Sequence, residues 1–113
     1  MVFIFDLDGT LFNADHRLPL IQGEKKDWNA FFEAAKDDAP IFETITIARA
    51  LAKAGNILVA VTGRPEHIRK ITLDQLLKYR VPVNLLLMRK DMDYRQDYEM
   101  KEELLDKIIL PTY

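Results

Sequence analysis

Met1-Val2-Phe3-Ile4-Phe5-Asp6-Leu7-Asp8-Gly9-Thr10 is the stretch on which the fold turns. Apolar residues 1–5, with aromatic and β-branched members, run without a break into two carboxylates one residue apart. An uninterrupted apolar run of that length is the pattern of a parallel-sheet strand covered on both faces. In open α/β sheets, ligands bind just beyond the carboxyl ends of the strands, which is where Asp6 and Asp8 fall. Two acids so placed repel each other and lose hydration unless a cation or a proton relieves them. Taken alone, Asp8-Gly9 also reads as a plain turn, with the acids capping a following helix. The rest of the chain decides between the two.

Two further apolar runs follow, Ile57–Val61 and Val83–Met88, the second with Asn84 inside it. Between and after them the apolar residues recur at helical spacing. Asp27 is placed to cap a helix in which Trp28, Phe31, Phe32 and Ala35 form one stripe, broken at Asp37-Asp38-Ala39-Pro40. A second helix is predicted over 43–54, with Ile47, Ala50, Leu51 and Ala54 on one side and Gly55 as its stop. Pro65 suits the first turn of a third, running to about Tyr79 through Ile68, Thr72 and Leu76. A last helix is predicted from Tyr98 to Ile109, ended by Pro111. Leu11 to Gln22, with Asn13, Asp15, His16, Arg17 and Pro19, reads as a loop. Strands of the buried type alternating with helices imply right-handed βαβ units and a three-layer α/β fold around a parallel sheet.

The bulk properties agree. A chain of 113 residues that is 49% hydrophobic suits a single domain spanning 1–113. Sixteen basic and 18 acidic residues leave a net charge of −2, which excludes the global basic field of sequence-independent nucleic-acid binding. The absence of cysteine excludes disulfides, thiolate metal sites and cysteine nucleophiles. The opening apolar run is too short for a signal peptide or a membrane span, so a cytoplasmic protein with no membrane partner is expected.

Three strand ends present chemistry: Asp6 and Asp8, then Thr62-Gly63-Arg64, then the charged loop from Arg89 to Asp97. Lys101 adds a fourth group, sharing an apolar stripe with Leu104, Leu105 and Ile108. It also lies near the start of its helix, where the macrodipole disfavours a cation, so it has an anion to meet unless it reaches past the sheet edge to solvent. Two carboxylates, a hydroxyl, a lysine and an arginine beyond a parallel sheet suit a phosphoryl group. One carboxylate can attack phosphorus while the other moves protons. Two acids facing a phosphate dianion call for a hard divalent cation. His16 and His67 have no partner at metal-binding spacing and read as surface or packing residues. Trp28, Phe31 and Phe32 could stack on a base, but their spacing favours the core.

Asp6-Leu7-Asp8-Gly9-Thr10, Thr62 behind an apolar strand, and Lys101 near a helix start resemble the first three motifs of the haloacid dehalogenase superfamily of phosphatases. Val61-Thr62-Gly63-Arg64-Pro65, Leu87-Met88-Arg89, Asp93-Tyr94-Arg95-Gln96-Asp97 and Lys101-Glu102 are similar to the 3′-phosphatase domain of phage-type polynucleotide kinase-phosphatases. Asp27-Trp28, Phe31-Phe32 and Asp37 to Pro40 fit the same group. The resemblance implies a Rossmann-like core with a minimal cap over 11–41. It also implies magnesium-dependent phosphomonoester hydrolysis through an aspartyl-phosphate, on 3′-phosphorylated nucleic-acid ends or nucleotides. In that reading Asp6 is the nucleophile and Asp8 the general acid/base. The Asp6 carboxylate and the Asp8 main-chain carbonyl hold Mg2+, and Thr62 and Lys101 contact the phosphoryl group. Gly9, Thr10, Gly63, Arg64, Arg89, Arg95 and Asp97 are implied around the substrate. For Arg89, Arg95 and Asp97 a solvated charged loop is the plain alternative.

The pattern departs from the family at its end. The fourth motif, which brings further aspartates on a fourth strand, is not found, since residues 110–113 fall about where that strand would begin. The expectation is therefore a core lacking its C-terminal strands, as a fragment or a shortened form with a weakened metal site. The opening strand would then be a bare sheet edge, which predicts a homodimer, a strand exchange or a companion segment. An inactive or weakly active relative that binds phosphorylated ends or a protein is the alternative function. A response-regulator-like phosphoacceptor is disfavoured by Asp6-x-Asp8 on the first strand, and no GxxxxGK[ST] phosphate loop is found.

Overall fold

A computed structural model describes all 113 residues. In chain order the elements are β1 (Val2–Phe5), β2 (Phe12–Asn13), α1 (Trp28–Glu33), β3 (Ala39–Pro40), α2 (Phe42–Lys53), β4 (Ile57–Pro65), α3 (Arg69–Lys78), β5 (Leu85–Arg89) and α4 (Asp97–Leu104). The three long apolar runs are the three strands of one parallel sheet, ordered β1-β4-β5, with Phe5 opposite Ala60 and Thr62 opposite Met88. Side chains alternate across it. Leu58, Ala60, Leu86 and Met88 enter one core together with Ile45, Ala48 and Leu76 from α2 and α3. Val59 and Val61 face the other side, against Ile109, Leu104 and Leu105. The fold is the three-layer α/β arrangement implied by the alternation of strands and helices.

Asp27 caps α1 as its position suggests, its Oδ1 accepting the Ala30 N–H at 3.0 Å. Four boundaries differ from the pattern. Residues 11–22 are not a simple loop: Phe12–Asn13 pairs antiparallel with Ala39–Pro40, and Asp15–Ile21 is a 3-10 helix. Strand β4 continues through Gly63 to Pro65, which lies opposite Arg89 after a register shift. Proline therefore ends a strand here, and α3 begins only after a further 3-10 turn at Glu66–Ile68. After α4 the chain widens into a π turn at Leu105–Ile109 and keeps helical form through Thr112, so Pro111 does not end the helix. A proline within the first turn of a new helical segment lacks only a donor that would be free in any case.

β1 is an edge strand, hydrogen-bonded to β4 alone, and Ile4 is 48% exposed on it. No helix is long and apolar enough to cross a membrane.

Candidate active site

The turn after β1 sets the two acids apart. Leu7 is fully buried, and its carbonyl accepts the N–H groups of Leu11 and Phe12 at 2.9 and 3.0 Å. Gly9 closes the turn with φ of 83°, donating to the Phe12 carbonyl at 2.8 Å. That left-handed backbone is open to glycine without a Cβ penalty. With Leu7 anchored inward, Asp6 and Asp8 lean to different neighbours.

Asp6 meets α4. Its Oδ1 accepts the Leu7 N–H at 2.8 Å and lies 3.2 Å from Lys101 Nζ, which also reaches Asp97 Oδ2 at 2.6 Å. Burial works against the charge on Lys101, but the hydrogen bond to Asp97 and the field of Asp6 outweigh it, and its pKa is raised. The inward-facing lysine therefore has its anion. Thr62, wholly buried at the end of β4, accepts the Arg64 N–H on its Oγ1 at 3.1 Å. Gly63 lets Asp97 come close: a Cβ there would stand 2.6 Å from Asp97 Oδ1 and would push that side chain aside.

Asp8 meets a buried ionic cluster that pattern reading overlooked. Arg17 and Arg64, both fully buried, each bring Nη2 to its Oδ1, at 2.9 and 2.8 Å. Arg17 also forks onto Asp38, Nε to Oδ1 and Nη2 to Oδ2, both at 2.9 Å. Its guanidinium lies 4.5 Å from the Phe31 ring centroid. Burial opposes the charge of Arg17, yet the Asp38 hydrogen bonds and the field of Asp8 raise its pKa overall. Arg64 donates further to Gln75 Oε1 at 2.8 Å, Thr72 Oγ1 at 3.3 Å and Asp38 Oδ2 at 3.3 Å. His16 closes the cluster toward solvent, with Nε2 2.7 Å from Asp38 Oδ1. No buried side-chain nitrogen or oxygen is left without a partner. Arg64, which the resemblance ties to the substrate or to the structure of the site, spends every donor of its guanidinium inside the protein and grips Asp8. Arg17 and Asp38 carried no signal beyond a polar stretch and a helix break. The one clue was a long-range possibility: an arginine and an acid on either side of a helix that must fold back on the sheet.

The 89–97 loop is braced from within. Arg89 donates to the carbonyls of Gly63, Asp93 and Arg95 at 3.1, 3.0 and 2.7 Å, and lies 3.6 Å from Asp97. Arg95 binds Asp93 and Glu103. Its hydrogen bonds hold the Asp93 carboxyl down at about 2. The hydrogen bonds from His67 hold Asp91 below the usual carboxylate range. Arg89 and Arg95 thus organise the loop, and their guanidiniums point at its own atoms.

The sequence model of the polynucleotide kinase PNKP phosphatase domain matches residues 1–113. The chain belongs to the PNKP phosphatase-domain family. Among solved structures, a chain of the Pnkp1/Rnl/Hen1 complex aligns with a TM-score of 0.77 and 31% identity, over 96% of this chain and 34% of that one. A second, from the Pnkp1/Rnl/Hen1 RNA repair complex, aligns with a TM-score of 0.76 and 30% identity, over 95% of this chain and 31% of that one. A protein from Vibrio cholerae shares the fold, with a TM-score of 0.50 and 22% identity over 77% of this chain and 68% of that one. The chain spans about a third of the length of the Pnkp1 chains it matches. No curated protein matches it. With the PNKP family established, the chain is a haloacid dehalogenase-type phosphatase domain, and its three-strand sheet is that superfamily's Rossmann-like core.

PNKP-type phosphatases imply magnesium, and the donor chemistry here can be tested for it. Nowhere do three or more His, Cys, Asp or Glu side chains gather closely enough to hold a metal. Asp91 and Asp93, the acids nearest in the chain to an additional ligand, are engaged by His67 and Arg95. No protein hydrogen bond reaches Asp6 Oδ2, while Oδ1 is shared by Lys101 and Leu7, and the side chain is 42% exposed. One carboxylate and a main-chain carbonyl are oxygen donors of the right hardness. Magnesium commonly binds through one or two carboxylates and fills its octahedron with water and substrate phosphate. The residues fit such a lightly held ion.

Proposed function

We propose that this domain removes the phosphate from 3′-phosphorylated nucleic-acid ends or nucleotides, with Asp6 as nucleophile and Asp8 as general acid/base. The observation that carries the reading is the pairing of Asp6 with Lys101 at 3.2 Å beside an Asp8 gripped by two guanidiniums. Asp6 Oδ2 attacks phosphorus, and the bond from phosphorus to the 3′ oxygen breaks. Asp8, held through Oδ1, delivers a proton from Oδ2 to that leaving oxygen. The Asp8 carboxylate then takes a proton from water, whose oxygen attacks phosphorus and releases Asp6 and inorganic phosphate. Proton transfer of this kind contributes roughly 10²–10⁴-fold. Lys101 and the Thr62 hydroxyl receive the charge on the phosphoryl oxygens. Asp6 and the Asp8 main-chain carbonyl would hold Mg2+, which when bound would neutralise the phosphate's charge.

Residues 11–41 act as a minimal cap, joined to the core through the Asp8–Arg17 and Gln75–Ala35 contacts. A small cap leaves room for a polymer end. The Pnkp1 relatives' place in an RNA repair complex supports nucleic acid as the substrate class. The free edge of β1 supports self-association through that strand.

One observation favours a second reading, a weakly active module that binds phosphorylated ends: the protein donors for the metal number few. Magnesium titration of hydrolysis of a 3′-phosphorylated oligonucleotide separates the two. Turnover that saturates with millimolar metal supports the phosphatase, and no metal-dependent turnover supports the binder.

A further inference from the structure

α1 divides its aromatic residues between two environments. Phe31 is buried over Arg17, whereas Trp28 is 47% exposed and stacks on Phe32, with centroids 5.8 Å apart and planes at 28°. Trp28 and Phe32 line a cleft of about 590 Å³ that also reaches Asp8, Gly63 and Asp97. The charged loop lines the same cleft with Met92 and Tyr94, 79% and 84% exposed. Tyr94 Oη lies 3.3 Å from Met92 Sδ, so these two side chains stand together. Core packing accounts for Phe31 and for part of Phe32, which packs against the main core, but not for Trp28, Met92 or Tyr94. A large indole left half in water, on the wall of a cleft that reaches Asp8, has the chemistry of a stacking surface. Asn29 and Lys90, which has no ion-pair partner, add hydrogen-bonding and cationic groups to that lining. The volume falls in the range of sites that enclose a small organic group.

We infer that the Trp28–Phe32 wall is a stacking platform for the terminal base of the 3′-phosphorylated strand, holding its ester against Asp6. This rests on the nucleic-acid reading above. A stacked base needs a free π face, so the platform selects unpaired ends and tolerates any base. Phosphate esters without a base lose that anchor.

Trp28 is the only tryptophan in the chain, so its emission reports on the platform directly. The 113-residue chain carrying Asp6→Asn, which should not turn over, is titrated with two 3′-phosphorylated oligonucleotides, one ending in thymidine and one in an abasic residue. Quenching by the thymidine end at concentrations where the abasic end has little effect is the expected result. In the parent chain, kcat/KM should favour the thymidine end by roughly tenfold or more, and Trp28→Ala should bring that ratio toward one. Equal quenching by both ends, or a ratio unchanged in Trp28→Ala, overturns the platform while leaving 3′-end hydrolysis intact. Hydrolysis of an aryl phosphate with neither oligonucleotide bound nor cleaved would sink the nucleic-acid reading, and the platform with it.

Discussion

Two clusters of charge border the same cleft, and they are built in opposite ways. Beneath Asp8, Arg17, Arg64 and Asp38 are almost wholly withdrawn from water, Asp38 held by both arginines and their other donors spent on Asp8, Thr72, Gln75 and the Phe31 carbonyl. Along the 89–97 loop, Arg89, Asp93, Arg95 and Asp97 pair at or near the surface, with one another, with Glu103 and Lys101 and with the loop's own backbone. Removing one partner of a buried ion cluster leaves an uncompensated charge, which costs about 3–5 kcal/mol. Removing one partner at the surface forfeits an interaction that water already weakens. The inner cluster therefore governs folding and the orientation of Asp8, while the outer one shapes a loop.

The sharpest way to break this contrast is Asp38→Ala. It strands Arg17 and Arg64 and should lower stability by about 3–5 kcal/mol in a urea titration. Asp93→Ala, read in the same assay, should move the midpoint far less. Comparable losses would show that depth does not separate the clusters.

The contrast also explains what the sequence made legible. The strands β1, β4 and β5 announce themselves as unbroken apolar runs, and Asp6, Asp8 and Lys101 stand out because carboxylates and a lysine sit where burial should exclude them. Arg17 and Asp38 stay hidden, since a buried arginine in a 3-10 helix has no periodicity and its acid lies across α1. Arg64 was visible as a polar group at a strand end, but its role depended on Gln75 and Thr72 of α3, a tertiary meeting that spacing cannot encode. Likewise, Trp28 and Phe31 share a helical stripe, and it is Phe31 that goes inside, over the Arg17 guanidinium.

The next largest effect concerns catalysis. Asp8→Asn should lower kcat by about 10²–10⁴-fold on a 3′-phosphorylated oligonucleotide. Arg64→Lys, which cannot reproduce the forked contacts, should lower kcat by roughly tenfold or more with KM nearly unchanged, as a positioning residue would. A rise in KM with kcat intact would return Arg64 to the substrate.

Gly63→Ala should have a smaller effect, several-fold in kcat/KM, because the new methyl displaces Asp97 from Lys101. Titration adds finer tests. Lys101 has a raised pKa, so its ion pair with Asp6 and Asp97 is intact below the ordinary lysine value and is lost as pH rises through the raised one. Activity should fall in that alkaline window. Asp93 is depressed to about 2, so its contribution is present above the ordinary carboxylate value and is lost only as pH falls through about 2. An NMR titration of the Asp93 carboxyl with an ordinary midpoint would show that the loop's pairing with Arg95 is loose in solution.

The central claim is that the acid facing Lys101, and not the one gripped by arginines, takes the phosphoryl group. Acid quenching during turnover of a 3′-phosphorylated oligonucleotide, followed by chemical trapping of acyl phosphate and peptide mass spectrometry, tests it directly. The label should fall on Asp6. Labelling of Asp8, or rapid turnover with no labelled aspartate, would contradict the account.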